Sequence, residues 1–262
     1  MSITTVGNNL IHYEVLGRGQ PLIFIHGWLG SWRYWWPSMQ AMSAQHRSFA
    51  YDLWGFGDSS KAPDMYNLDS YVTMMDQFID QLGVARPVYI IGHSLGAAVG
   101  LRYTLKHPEN VEKVVAVSLP VNSSYINNKV PGSDPETVMN RLLGKANSYP
   151  EVDTEIRKVD RTAFTTLVNE MMNINFAQDL AESPRPLLLL YGDQDPIISP
   201  PSGEHEYLTE SGNNRFFVKF ECNHYPMLHE KVKFNRLLLD FILAGNDLTE
   251  LAPKEYWTRR TR

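Results

Sequence analysis

The chain has 262 residues, of which 43% are hydrophobic and 20% charged, a formal net charge of −5 and a single cysteine. Its length suffices for a sizeable core; its acidic balance disfavours a nucleic-acid binder, which needs a basic stripe; and the lone Cys222 excludes an intrachain disulfide or a multi-cysteine metal site. The first fifteen residues hold no basic segment followed by an apolar one, and no apolar run approaches the roughly 20 residues that span a bilayer, so a soluble cytoplasmic protein with no membrane span is expected.

In chain order, "ITTV" and "LIHYEVLG" flank the turn "GNN" and read as a hairpin. The continuous apolar run at 22–25 reads as a strand covered on both faces. A helix follows over 34–44, then the strand "HRSFAYDL". Asn67 or Asp69 is placed to cap the helix "YVTMMDQFIDQLG", which ends at Gly83. "PVYII" is a strand, "LGAAVGLRYTLKH" a helix stopped before Pro108, and "VEKVVAVSL" a strand. This alternation predicts an α/β fold: a mostly parallel central sheet with helices on both faces. The rhythm breaks over 121–183, where turn-rich pieces separate helical ones ("ETVMNRLLGKA" and a run over 154–174). It resumes with the strands "PLLLLYG" and "RFFVKF" and the helix "EKVKFNRLLLDFIL". The expected organisation is therefore a core of residues 1–120 and 184–262, with a helical lid of residues 121–183 inserted after the sixth strand. The basic tail 254–262 reads as a solvated end.

The segment "YIIGHSLGAA" carries the chemistry. A buried strand stops at Gly92, and Ser94 stands between Gly92 and Gly96 before a helix. A serine hydroxyl is a weak nucleophile unless it is exposed, held and paired with a base. A sharp strand–turn–helix holds it in an unfavourable backbone conformation, and glycine two residues either side relieves the resulting crowding. Ser94 is thus the candidate nucleophile. Its base should follow another strand, because catalytic groups of parallel sheets gather at the carboxyl edge. Of eight histidines, His224 lies directly after "RFFVKF" and is favoured over His229, which reads as a surface or capping residue. His12, His46, His107 and His205 lie in hairpin, turn or polar-helix settings. His93 adjoins the serine, where its side chain should diverge; it is assigned to the substrate pocket. After "PLLLLYG", Asp195 is favoured over Asp193 because it lies further into the loop, although both also suit a turn.

The order Ser94, Asp195, His224 and the segments "HGWLGS", "YDLWGFGDS", "GHSLG", "YGDQDPI" and "NHYPMLHEK" resemble the α/β-hydrolase fold family, in its serine-nucleophile, esterase-like branch. The resemblance implies that His26 and Gly27 open an oxyanion loop, that the backbone N–H groups of Trp28 and Leu95 form the oxyanion hole, and that the lid covers the serine. One departure is Asn223 where many relatives have glycine; asparagine suits the position if the backbone there is left-handed. Serine rather than aspartate at 94 argues against the epoxide hydrolases and haloalkane dehalogenases. Trp28, Trp32, Met139, Phe164, Met171 and Met172 complete the expected pocket, while Trp35 and Trp36 read as core. The cluster Arg157, Lys158 and Arg161 reads as a solvated face, with a carboxylate-binding role as the alternative. No metal or cofactor is expected, and the expected partner is a small, largely apolar ester. The competing functions are carbon–carbon hydrolysis of a ring-cleavage dienoate, cofactor-free perhydrolysis, and a ligand receptor with vestigial catalysis.

Overall fold

Ser2 pairs with Tyr13 and Val6 with Asn9 in the N-terminal hairpin, which turns at Gly7 with φ +59°, a left-handed value that glycine adopts without steric cost. The computed structural model describes residues 2–140, 149–202, 214–249 and 251. Its strands are β1 (Ser2–Val6), β2 (Asn9–Gly17), β3 (Gln20–Ile25), β4 (His46–Tyr51), β5 (Val88–His93), β6 (Val111–Val117), β7 (Leu187–Gly192) and β8 (Arg215–Phe220). They form one sheet in the order β1-β2-β4-β3-β5-β6-β7-β8. β1, β2 and β4 pair antiparallel, and every pair from β4 through β8 is parallel. β5 and β7 are buried along their whole length, as strands covered on both faces must be.

The covering helices include α1 (Trp36–Met42), α2 (Leu68–Gln81) and α3 (Leu95–Lys106). α2 starts where Asn67 Oδ1 accepts the Ser70 N–H at 2.8 Å, which settles the cap between Asn67 and Asp69. The helix read over 34–44 is divided: a 3-10 turn, Trp32–Trp35, precedes α1, and Pro37 sits in the first turn of α1. Trp35 packs between Phe24 and Phe234. Trp36 is 37% exposed rather than core, because consecutive helical side chains point about 100° apart and only one of the pair can face the sheet.

Between β6 and β7 the chain forms α4 (Pro135–Val138), α5 (Pro150–Asp153), a 3-10 turn at Ile156–Lys158, α6 (Arg161–Met171) and α7 (Ala177–Glu182). The helix read over 136–146 lies outside the described residues beyond 140, as do His205 and the tail 254–262. The helical run read over 154–174 is broken at Asp160, whose extended backbone lets its carboxylate cap α6 by accepting the Thr162 N–H at 2.8 Å. Asp160 N–H also donates to Gly55 O at 2.7 Å, and the Tyr66 hydroxyl donates to Asp160 Oδ2 at 2.8 Å. Lys158 pairs with Asp58 at 2.9 Å and with the buried Glu155 at 3.1 Å, and Arg33 meets Glu155 at 3.2 Å. No described helix is long and apolar enough to cross a membrane.

The chain passes from β3 to β4 on one side and then to β5 on the other. This makes the carboxyl ends of β3 and β5 the topological switch point, the place where open α/β sheets bind ligands. His26 follows one of these strands and Ser94 follows the other.

Candidate active site

Ser94 adopts φ 52° and ψ −114°, between β5 and α3. Such a conformation persists in a non-glycine residue only where its surroundings enforce it. A Cβ at Gly92 would lie 2.3 Å from Gly96 O, and one at Gly96 would lie 2.3 Å from Ile25 O. Only glycine lets the strand end, the helix start and β3 approach so closely. The turn holds Ser94 as expected, but the serine is fully buried rather than exposed, and its Oγ has no hydrogen-bond partner among the described residues, His224 included.

The loop after β3 rests on this turn, since a Cβ at Gly27 would lie 2.9 Å from Ser94 Cβ. Two bonds hold the loop through His26: Nε2 accepts the Leu53 N–H at 2.9 Å, and Nδ1–H donates to Gly27 O at 2.8 Å. Burial lowers the His26 pKa, which keeps the ring neutral and this tautomer in place. In a trans peptide the N–H points opposite to the C=O. Fixing the Gly27 carbonyl therefore aims the Trp28 N–H away from His26. Neither the Trp28 N–H nor the Leu95 N–H has an acceptor among the described residues.

His224 Nδ1–H donates to Asp195 Oδ2 at 2.7 Å. The other carboxylate oxygen accepts the N–H groups of Ile197 at 2.8 Å and Ile198 at 3.0 Å. Three donors thus fix the carboxylate, and the proton on Nδ1 leaves Nε2 as the basic nitrogen of the neutral ring. Asp193 is exposed, and His229 is exposed with Nδ1 3.1 Å from the Tyr149 hydroxyl. The structure joins Asp195 to His224 and leaves Asp193 and His229 out of the pair.

Three strand spacings separate β5 from β8, about 14 Å, so the loop carrying His224 must fold back to approach Ser94. It is held there by His93 Nε2–H, which donates to His224 O at 2.8 Å, and by the Tyr225 hydroxyl, which donates to Leu29 O at 3.0 Å. The His93 and His224 rings lie 4.5 Å apart between centroids. Tyr34 and Tyr225 belong to this cluster and carried no signal in the sequence: they are single tyrosines in a helix and a loop, distinguished only by what surrounds them. Asn223 departs from the expectation of a left-handed backbone. Its φ is not positive; instead its Oδ1 accepts the Tyr225 N–H at 3.0 Å and its amide donates to the Tyr149 hydroxyl at 3.0 Å.

Trp28 is buried and meets Phe164 of α6 edge to face at 6.4 Å. Met139 and Met171 are buried, and Met172 is half-buried. Trp32 faces elsewhere. Its ring meets Trp36 at 6.0 Å and His12 at 6.1 Å, Arg33 stacks over it, and with Trp36, Pro37 and Glu151 it lines a surface cleft of about 250 Å³. Of the basic cluster, Lys158 is engaged by Asp58 and Glu155, whereas Arg157 and Arg161 are exposed. One group among the described residues, His12, Asp52 and Asp58, brings ligand-type atoms within 4.8 Å of one another. Its central carboxylate is already taken: Asp52 accepts from the Trp32 N–H, the Asp58 N–H and His12 Nδ1–H. The group therefore braces the loops after β3 and β4.

A sequence model of the alpha/beta hydrolase fold matches residues 20–179. The chain belongs to the α/β-hydrolase fold family. Among curated relatives it is 23% identical to the 2-hydroxy-6-oxo-6-(2'-aminophenyl)hexa-2,4-dienoic acid hydrolase of Metapseudomonas resinovorans, over 92% of this chain and 90% of that one. Among solved structures it superposes on a hydrolase from Pseudomonas aeruginosa PA01 with a TM-score of 0.79 and 19% identity, covering 93% of this chain and 98% of the other. It also superposes on the esterase EaEST from Exiguobacterium antarcticum with a TM-score of 0.73 and 18% identity, covering 92% and 98%. At these identities the structural likeness extends to the fold, and the family membership supports a hydrolase.

Proposed function

We propose that this α/β hydrolase is a serine esterase that cleaves a small, largely apolar carboxylic ester through Ser94, His224 and Asp195. Ser94 Oγ attacks the ester carbonyl and its proton passes to His224 Nε2. Asp195 holds the ring in the tautomer that can receive it and stabilises the imidazolium. The carbonyl oxygen, now an oxyanion, accepts from the Trp28 and Leu95 N–H groups. One such donor is commonly worth about 3 kcal/mol in the transition state. The tetrahedral intermediate collapses, breaking the C–O bond, and the departing alkoxide takes the proton from His224. Water, deprotonated by the same ring, then attacks the acyl-enzyme, and collapse returns the proton to Ser94 and releases the acid.

Two observations carry this reading: the strained, buried Ser94 with its hydroxyl unpartnered, and a histidine whose Nδ1–H is committed to a fixed carboxylate and whose backbone is bonded by His93, the residue next to the serine. In the same reading residues 121–183 are a lid over Ser94, and Trp28 with Phe164, Met139 and Met171 forms an apolar pocket wall. Of the basic cluster that would meet a dienoate's carboxylate, Lys158 is taken by Asp58 and Glu155, while Arg157 and Arg161 are exposed, so the choice between ester and dienoate is left to the test below.

The test is a panel of p-nitrophenyl esters and coloured dienoates run with wild type and Ser94→Ala. Turnover of acetate or butyrate esters that disappears in the folded variant is expected. Bleaching of a dienoate without ester turnover would instead assign carbon–carbon hydrolysis, and ester turnover that survives in Ser94→Ala would remove the mechanism.

A further inference from the structure

A single directed hydrogen-bond chain runs through the interior from the oxyanion loop to the backbone of His224. The Gly27 N–H donates to the Tyr34 hydroxyl at 2.7 Å. An amide can only donate, so the hydroxyl accepts there and its own proton is free for His93 Nδ1, 2.9 Å away. That nitrogen must then lack a proton, and His93 carries its hydrogen on Nε2, facing the His224 carbonyl at 2.8 Å. A carbonyl can only accept, so no link of the chain can be reversed. Tyr34 and His93 are both buried. Burial, and then the neighbouring His224, hold the His93 pKa well below the ordinary imidazole value, so the ring stays neutral and the tautomer stays fixed. The Tyr34 ring meets His93 edge to face at 5.5 Å and Tyr225 at 5.7 Å, which leaves neither side chain free to turn.

We infer that Tyr34 and His93 are positioning residues that set the spacing between the oxyanion loop and His224. This rests on the serine-hydrolase reading above. Gly27 precedes Trp28, one proposed oxyanion donor, and His93 precedes Ser94. The loop bearing His224 has to return across the sheet, so its approach depends on what grips it at the near end. The pair holds two groups that the proposed mechanism brings to the reacting atoms; His93, expected from the sequence to line the substrate pocket, instead has both ring nitrogens taken by Tyr34 and the His224 carbonyl. Loss of the hydroxyl or of the Nε2–H should therefore misplace groups by fractions of an ångström. Such a defect is felt in the transition state more than in substrate binding.

The experiment compares Tyr34→Phe, His93→Leu and His93→Gln with wild type and Ser94→Ala. It measures the second-order rate of labelling by an alkyl fluorophosphonate, and kcat and KM on p-nitrophenyl butyrate, each per folded molecule as judged by circular dichroism. Glutamine can place an N–H near the position of Nε2, whereas leucine cannot. Tyr34→Phe and His93→Leu are expected to slow labelling and kcat by about 10- to 100-fold with KM little changed, and His93→Gln to recover most of the loss. A purely structural role would lower thermal stability equally in His93→Gln and His93→Leu and leave the rates of the folded fraction at wild type; that result overturns the inference. If wild type is labelled and Ser94→Ala is not, yet Tyr34→Phe reacts at the wild-type rate, the positioning role fails and the serine reading stands. If wild type is not labelled at all, both fail.

Discussion

Asp195 illustrates how much one carboxylate is asked to do. Oδ1 is committed to the Ile197 and Ile198 amides and Oδ2 to His224. An asparagine at 195 has one acceptor oxygen for two sets of donors. If that oxygen stays on the two amides, its NH2 faces Nδ1 and forces the proton onto Nε2, the wrong tautomer for a base. Asp195→Asn should therefore lower kcat about 10³- to 10⁴-fold with little change in KM, as read by steady-state kinetics on the best ester of the panel; a loss under tenfold would remove Asp195 from the proposed triad. The same residue shows what the sequence could and could not carry. Its position three residues past Gly192 made Asp195 the better candidate than Asp193, and the geometry pairs it with His224. The bond from His93 to the His224 carbonyl was invisible, because a tight turn suggests that the side chain of residue 93 diverges from that of 94. It does, and that divergence is what lets it reach the other loop.

The strand–turn–helix around Ser94 is a single mechanical unit. Its glycines are required by closeness rather than by flexibility: neither Gly92 nor Gly96 has positive φ, and each faces backbone within 2.3 Å of where a Cβ would be. Gly96→Ala would push α3 away from the end of β3, against the Ile25 and His26 carbonyls. A destabilisation of about 2–3 kcal/mol is expected in urea unfolding, together with a loss of esterase activity larger than the lost stability accounts for; an unperturbed midpoint would mean that the turn yields. At this scale β3, β5 and β7 were readable because each is a short apolar run bounded by glycine or proline, and β4, β6 and β8 by their place in the strand–helix alternation. The region between β6 and β7 was readable as helical but not in its breaks. A helical run over 154–174 looks continuous by composition; tertiary bonds from Asp160 to Gly55 and Tyr66, and the burial of Glu155 between Arg33 and Lys158, interrupt it. Trp36 was misread for a related reason: composition alone does not tell which of two adjacent tryptophans turns inward.

For the molecule as a whole, buried neutral histidines couple folding to pH. His26 and His93 are held below the ordinary imidazole value of 6.5 by burial. Unfolded, each takes up a proton below that pH; folded, it does not. The unfolded state then binds more protons, so the stabilisation is complete above pH 6.5 and is lost as pH falls through the depressed folded values. The two together predict that stability falls as pH drops below 6.5, the more deeply depressed His93 contributing over the wider range. Glu170 and Asp179, whose carboxyls burial raises, act in the opposite sense as pH falls toward the carboxylate range; Asp58 and Asp160 do not interfere. Burial alone would raise their carboxyls, but hydrogen bonds from Lys158 and Tyr66 respectively leave both below the usual range, outside this window. Urea midpoints across that pH range check the prediction; a flat profile would mean that the rings are not neutral in the fold. The global architecture was the most legible level of all, since the order of strands, helices and turn motifs fixes the sheet. The chemistry of the substrate was the least legible, because the tryptophan, phenylalanine and methionine proposed for a pocket wall would distinguish apolar from polar and little else.

The central claim is that Ser94 is an activated nucleophile. Its most direct test is to treat the native protein with an alkyl fluorophosphonate, weigh the intact chain and map the modified peptide. A single adduct on the peptide containing Ser94, formed far more slowly in His224→Ala and absent in Ser94→Ala, is the predicted result. No adduct, or one on another residue with Ser94 untouched, would contradict it.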